Sequence, residues 1–296
     1  MKIGCVGLGS MGFGMARSLV RSGHDVYGED LNVGSVDRLR AEGGACEDLA
    51  EAAPSLDALL IVVLNAAQTE SVLFGVNGLA RQLRKGAVII CSVTAAPGFA
   101  REMGARCVEL GLFYLDAPIS GGAAKAAAGT LSIMASGSPE AFAAARPVLD
   151  ATAETVFELG NEPGAGSAMK AVNQMLAGIH IAAMAEALTF GMTQGIDPET
   201  FIEVIPNCAG TSWMLENRAP HVVAGDYTPH STIDIWPKDL GIVLDAARDA
   251  KFSAPVTSAV LQQFLAASGS GLGREDDAAV AKIYARNANL DLPHRG

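Results

Sequence analysis

Positive charge is scarce in this chain. Its 296 residues carry 21 Lys and Arg against 32 Asp and Glu, a net charge of −11, and the basic residues nowhere form a run. A surface able to neutralise many phosphates is therefore missing, which argues against a nucleic-acid partner. Cysteine is sparse too: Cys5, Cys46, Cys91, Cys107 and Cys208 are odd in number and widely spaced, with no C-x-x-C pair and no Cys/His cluster. Neither a disulfide framework nor a metal site is legible in that spacing, and a reducing, cytoplasmic setting fits it. The longest purely apolar run, 58–64, falls far short of the roughly 20 residues of a membrane helix. No charged segment followed by an apolar stretch opens the chain, so neither export nor a membrane partner is expected.

Half of the residues are hydrophobic, enough to fill a core. The length exceeds the roughly 100–200 residues of one domain, so two are expected. In the first half, short apolar runs alternate with amphipathic stretches, as in βαβ units whose strands are buried on both faces of a parallel sheet. The runs predict strands near 2–6, 25–28, 58–64, 87–91, 113–116, 131–135 and 155–157, with helices such as 11–22 and 69–84 between them. The pattern changes at Gly160-Asn161-Glu162-Pro163-Gly164-Ala165-Gly166, a turn-forming break. Beyond it, 167–194 reads as one long helix, apolar nearly all round and so suited to burial. Helices follow near 198–205, 212–223, 236–250, 256–268 and 276–285, with Asp197-Pro198 and Asp276 as N-terminal signals. The expected organisation is an α/β domain over residues 1–162 and an all-α domain over 163–296, opened by the long helix.

Gly7-Leu8-Gly9-Ser10-Met11-Gly12 follows the first strand directly and opens the first helix, the context that gives G-x-G-x-x-G its meaning. Gly7 permits the turn, Gly9 lets a pyrophosphate approach the backbone, and Gly12 allows tight packing, with the phosphates on the helix N-terminus. Asp30 stands 23 residues beyond Gly7, at the end of the second strand. A carboxylate there accepts hydrogen bonds from an adenosine ribose and repels a 2′-phosphate. Leu31 and Asn32 follow it rather than an arginine, so NAD is expected over NADP.

Hydride transfer also needs a group for the accompanying proton. No Ser/His/Asp set suggests itself. Lys170 lies in the first turn of the long helix with Asn173 three positions on, so that an amine and a carboxamide share one face. A lysine at its reference pKa of about 10.4 is almost wholly protonated near neutrality. Burial, the positive end of its helix and a second cation, for which Lys238 is the candidate, each lower that value. Taken alone, such a lysine is more often a solvated surface charge. The segment Asp116-Ala117-Pro118-Ile119-Ser120-Gly121-Gly122 runs from a strand end into a glycine pair. There the Ser120 hydroxyl and the N–H groups of Gly121 and Gly122 either hold a carboxylate or simply form a turn.

Four blocks in order resemble one family: 7–12; 116–122 continuing to Gly129-Thr130-Leu131; Gly164-Ala165-Gly166 with Lys170 and Asn173; and Lys238-Asp239-Leu240. Together they make the chain, over about residues 2–290, similar to the β-hydroxyacid dehydrogenases, which include 3-hydroxyisobutyrate dehydrogenase and tartronate semialdehyde reductase. The resemblance implies an α/β Rossmann domain followed by an all-α helical domain, with the active site in the cleft between them. It implies Lys170 as general acid/base, with Ser120, Gly121, Gly122 and Asn173 around the substrate. Thr94 and Lys238 are implied beside the nicotinamide end of the cofactor, and Leu64 and Asn65 beside its middle. Many members have Leu-Pro where this chain has Leu64-Asn65, and Ser-Ser-Thr where it has Ser92-Val93-Thr94, which bears on the cofactor contacts there.

Stretches 207–218 and 226–231 look most like members that oxidise L-threonate. The implied reaction is NAD-dependent oxidation of this small hydroxy acid at C2, with tartronate semialdehyde or 3-hydroxyisobutyrate as alternative substrates and a non-catalytic NAD-binding protein as the alternative of another class. Buried substrate hydroxyls need partners; Asn207, Thr211, Ser212 and His230 are candidates, each equally a cap or turn residue. Trp213 and Trp236 either wall the cleft or fill the core of the helical half, the core being the commoner case, and His180 reads as a packed core histidine. The long apolar helix suggests packing against a second copy, as a homodimer or homotetramer.

Overall fold

Short runs with apolar centres form the strands β1 (Lys2–Val6), β2 (Asp25–Glu29), β3 (Ala58–Ile61), β4 (Val88–Cys91) and β5 (Phe113–Asp116), all parallel, in the order β2-β1-β3-β4-β5. Alternate side chains go to opposite faces. Ile3, Cys5, Ala58, Leu60, Val88 and Ile90 pack against the helices Gly12–Arg21 and Pro139–Thr152, whereas Val6, Leu59, Ile61, Ile89 and Cys91 pack against Met103 and Cys107 of the helix Pro97–Glu109. Two covered faces explain why the inner strands β3 and β4 read as continuous apolar runs, and each fully buried Leu or Ile contributes about 1.5–3 kcal/mol. β3 stops at Ile61 rather than at residue 64: Val62 N still donates to Val6 O at 2.8 Å, but the chain then turns outward and Leu64 is exposed. The helix expected over 69–84 is instead Ala66–Phe74 followed by a short turn at Leu79–Arg81. The chain folds back tightly at Gly78, where a Cβ would lie 2.5 Å from Leu73 O.

A second sheet of three strands, β6 (Ile119–Ser120), β7 (Leu131–Ala135) and β8 (Ala153–Glu158), pairs β6 antiparallel to β7 and β7 parallel to β8. The expected strands at 131–135 and 155–157 therefore do not extend the main sheet. Asp116 and Ser136 exchange backbone hydrogen bonds of 3.0 and 2.8 Å, and the same antiparallel register runs on through Met134 N, which donates to Pro118 O at 2.9 Å, into β6 and β7; Pro118, without an N–H, leaves out one bond of that ladder.

The structure, a computed structural model, describes residues 1–294 and falls into two compact units, Met1–Lys170 and Ala171–Gly296. The division lies inside the long helix, Ala165–Thr193, past the expected boundary at 162, because the first turns of that helix are fastened to the α/β unit. The second unit holds the helices Pro198–Val204, Trp213–Ala224, Ile235–Asp249, Pro255–Ala267 and Ala281–Asn287, and its described residues contain no strand beyond a single bridge between Thr232 and Asp276. Asp197 and Ser212 cap their helices by accepting from Thr200 N at 2.8 Å and Leu215 N at 3.1 Å. The long helix places Ile181, Met184, Ala185 and Leu188 in this unit's core, but Met169, Val172, Leu176 and Phe190 are exposed, so it is not buried all round as expected. By length and composition alone this helix is apolar enough to cross a membrane; the most apolar part of it is 44% buried.

Candidate active site

The phosphate loop is held by contacts that leave little room for substitution. Gly7 has φ +91°, and a Cβ there would lie 2.5 Å from Val62 O; at Gly12 it would strike Gly7 O. At Gly9, by contrast, a Cβ would meet nothing within 4 Å, so the backbone faces open space that a side chain would fill and a pyrophosphate can occupy. Asp30 fastens the loop: its Oδ2 accepts from Leu8 N at 2.6 Å and its Oδ1 from Asn32 N at 2.7 Å. Ser10 is exposed and Met11 half-buried against the sheet core. A cavity of about 430 Å³ opens beside the loop, lined by Leu8, Gly9, Ser10, Phe13, Arg17 and Arg38. Both arginines pair with Glu42, at 3.1 and 3.3 Å, and Arg38 stacks over the Phe13 ring.

Because the five strands are parallel, the segments that follow them lie along one edge of the sheet. That edge carries Gly7 to Gly12 after β1, Asp30 after β2, Leu64 and Asn65 after β3, and Thr94 after β4. The strand order reverses at β1, the place where doubly wound sheets open a crevice for a ligand. Asn65 is a helix cap, its Oδ1 accepting from Gln68 N at 2.9 Å while Gln68 Oε1 accepts from Leu64 N at 2.9 Å. Thr94 is half-buried in the loop beyond β4. These residues fit a dinucleotide: an open glycine backbone for its phosphates, a helix N-terminus behind it and a carboxylate for its ribose.

Asp116, at the end of β5, organises the other part of the site. It is 1% exposed, and its Oδ2 accepts from Gly164 N at 2.9 Å and Ser167 N at 2.8 Å while Oδ1 accepts from Ser167 Oγ at 2.7 Å. Ser136 Oγ accepts from Gly166 N at 3.0 Å. A carboxylate at a helix start satisfies N–H groups that have no partner within the helix and complements its dipole. Burial nevertheless raises the Asp116 carboxyl, those hydrogen bonds opposing it. Gly166 is required because a Cβ would collide with Met134 O. One turn and a half into the helix, Lys170 is only 9% exposed and its Nζ donates to Ile119 O at 2.8 Å, which disposes of the reading as a solvated surface charge. That carbonyl immediately precedes Ser120, Gly121 and Gly122, the latter two with φ of +134° and +76°.

Asn173 and Lys238 belong to the second unit and are joined there by a polar chain. Asn173 Nδ2 donates to Gln174 Oε1 at 3.0 Å, Gln174 Nε2 donates to Asp239 Oδ2 at 2.5 Å, and the Lys238 ammonium lies 2.7 Å from Asp239 Oδ1. Asp239 is 2% exposed. Asn207, Thr211 and Ser212 serve local structure: Asn207 donates to Glu203 O, Thr211 to Glu216 Oε1, and Ser212 caps its helix. His230 lies instead against His221 and Asp276. Trp236 is buried, donating to Asp277 Oδ2 at 3.0 Å, but Trp213 is 56% exposed and not a core residue, and His180 is half-buried.

Residues 2–160 match the family model for the NAD binding domain of 6-phosphogluconate dehydrogenase, and 164–284 that for the NAD-binding domain of NADP-dependent 3-hydroxyisobutyrate dehydrogenase. The L-threonate dehydrogenase of Cupriavidus necator is 50% identical over 98% of this chain and 97% of its own. The chain belongs to the β-hydroxyacid dehydrogenase family. Another member, the L-threonate dehydrogenase of Escherichia coli K12, is 49% identical over 98% of this chain and 96% of its own. The crystal structure of a 3-hydroxyisobutyrate dehydrogenase from Salmonella typhimurium matches with a TM-score of 0.91 and 47% identity over 96% of this chain and 99% of that one. As a member of this family the chain is a dehydrogenase that uses a nicotinamide cofactor.

Sequence reasoning leaves Asp116, Ser136, Gln174 and Asp239 without a role. An acid at a strand end ahead of a G-x-G helix start is the one signal that points to Asp116; a buried carboxylate on the inner side of a helix, such as Asp239, carries none. The arginines beside the phosphate loop are likewise invisible in the sequence, since Arg17 and Arg38 are brought there by separate helices.

Proposed function

We propose that this dehydrogenase oxidises a short hydroxy acid, L-threonate above others, at C2 to the 2-oxo acid, with NAD as the hydride acceptor. The observation that carries the mechanism is the buried Lys170, its amine held at the Ile119 carbonyl beside Ser120. In the direction of oxidation Lys170 Nζ takes the C2 hydroxyl proton while the C2 hydride leaves, so a carbonyl remains; in reverse its ammonium returns that proton. The bound dinucleotide supplies the hydride-accepting ring. The Ser120 hydroxyl and the N–H groups of Gly121 and Gly122 hold the substrate carboxylate, and the Asn173 amide pairs with a hydroxyl. Gly7, Leu8, Gly9, Ser10, Met11 and Gly12 hold the phosphates, Asp30 the adenosine ribose, and Leu64, Asn65, Thr94 and Lys238 the remainder of the cofactor. Asp30 supports NAD over NADP, because a 2′-phosphate would meet its charge while the nearby arginines are paired with Glu42.

The L-threonate dehydrogenases of two organisms described above support the substrate. A second reading, 3-hydroxyisobutyrate, is favoured by the likeness to the Salmonella 3-hydroxyisobutyrate dehydrogenase. Initial rates of NAD reduction with L-threonate, 3-hydroxyisobutyrate and glycerate separate them. L-threonate is expected to lead in kcat/KM by at least about tenfold, since a site that pairs with hydroxyls rejects analogues lacking them. Faster turnover of 3-hydroxyisobutyrate overturns the substrate, and no turnover with NAD or NADP leaves a dinucleotide-binding protein. Five free cysteines support a cytoplasmic setting. The exposed stripe Met169, Val172 and Leu176 on the long helix supports a homodimer or homotetramer, which light scattering measures.

A further inference from the structure

A cluster in the helical unit serves none of the chemistry assigned above. His221, in the last turn of the helix Trp213–Ala224, His230, in the loop before the helix Ile235–Asp249, and Asp276 each point a ligand atom into one place, all within 4.8 Å of one another. His221 Nδ1 lies 3.0 Å from Asp276 Oδ1, and the two imidazoles meet edge to face with ring centroids 4.6 Å apart. Their positions are 9 and 46 residues apart, so no metal-ligand spacing announces them; the fold assembles them.

We propose that these three side chains form a binding site for a divalent transition-metal ion of borderline softness, with Zn²⁺ as its representative. Imidazole nitrogen with carboxylate oxygen is the donor set such ions take, and three protein ligands with one open position is a recurrent arrangement. A tetrahedral ion held at about 2.0–2.2 Å from each donor sets the donors about 3.3 Å apart. The His221–Asp276 pair already stands near that separation. His230 completes the set by rotation of an exposed side chain, and the exposed side of the cluster lets the ion in from solvent.

Asp276 is prepared for the role. It is fully buried, and backbone N–H groups of His230 and Ala278 hold its oxygens at 2.8 and 3.1 Å. Its neighbour Arg218 directs its hydrogen bond to Asp277 Oδ1 at 2.5 Å and stands 3.9 Å from Asp276. Two carboxylates thus face one guanidinium, and the local balance favours a cation. Bound there, an ion ties the end of the helix Trp213–Ala224 to the loop that Asp276 already clasps through Tyr227 O and His230 N.

The test is calorimetric titration of Zn²⁺ into the untagged, chelator-treated full chain, beside the variants His230→Ala and His221→Gln. His230→Ala removes an exposed side chain, and circular dichroism without metal establishes that the variant is folded. The chain is expected to take up one Zn²⁺ at a saturable site, with its melting temperature rising on saturation. Both variants should lose at least about tenfold in affinity, the smallest effect usual for altering a metal site. Absence of saturable uptake overturns the site. Uptake that persists unchanged in both folded variants overturns it as well, by placing the ion on other groups such as Cys46 or Cys208.

Discussion

Asp30 and Asp116 are both carboxylates that accept backbone N–H groups, yet they stand in opposite environments. Asp30 is half-exposed at the loop it fastens, its two oxygens accepting from Leu8 N and Asn32 N. Asp30→Ala should lower the ratio of kcat/KM for NAD to that for NADP by at least about tenfold, because the charge that opposes a 2′-phosphate is gone; steady-state rates with both cofactors check this. Asp116 is buried and commits its oxygens to the start of the long helix. Burial raises its carboxyl, so its ionisation costs the fold stability as pH rises, and the hydrogen bonds offset that cost. Asp116→Asn replaces one acceptor oxygen by a donor facing N–H groups. Urea unfolding should show a loss of about 1–3 kcal/mol, the usual cost of leaving a buried donor unpaired.

At the scale of elements, strand ends and helix starts carry most of the design. Asp57, just before β3, accepts from Lys2 N at 2.8 Å and pairs with Arg84 at 2.5 Å, tying the starts of β1 and β3 to the approach to β4. Partial burial pushes its carboxyl up, but these hydrogen bonds and the Arg84 charge outweigh it and hold the value below the ordinary one. A lowered carboxyl adds stability above the unfolded pKa of about 4 and loses that contribution as pH falls through the folded value. Thermal melts should therefore place Asp57→Asn below the parent at pH 6, with the gap closing towards pH 3. β1, β3, β4 and the long helix are legible in the sequence because they are almost wholly apolar runs, and β2 and β5 because short apolar centres recur at the spacing of βαβ units. β6 is not, since a two-residue strand has no periodicity, and the second sheet is not, since its pairing starts from the bridge between Asp116 and Ser136, residues far apart in the chain that no local pattern links. For the long helix, existence is legible and burial is not: composition does not say which of its apolar sides meets a core.

For the molecule as a whole, the candidate site is legible where glycines and a lysine have fixed spacing and illegible where support comes from afar. The G-x-G-x-x-G loop and Asp30 stand out by order and spacing, whereas Lys170 stands out only together with the blocks that carry the family resemblance. Asp116 reaches Ser167 across 51 positions, and Gln174 reaches Asp239 across 65, and no local pattern marks either pair. The proposed chemistry stands or falls on the amine of Lys170. The decisive measurement is NAD reduction with L-threonate by the parent and by Lys170→Ala, alongside NAD affinity of both. Turnover should drop by about 10²–10⁴-fold, the contribution usual for a positioned acid/base, with cofactor affinity within about twofold. Retention of the parent rate by a folded Lys170→Ala protein would contradict the assignment.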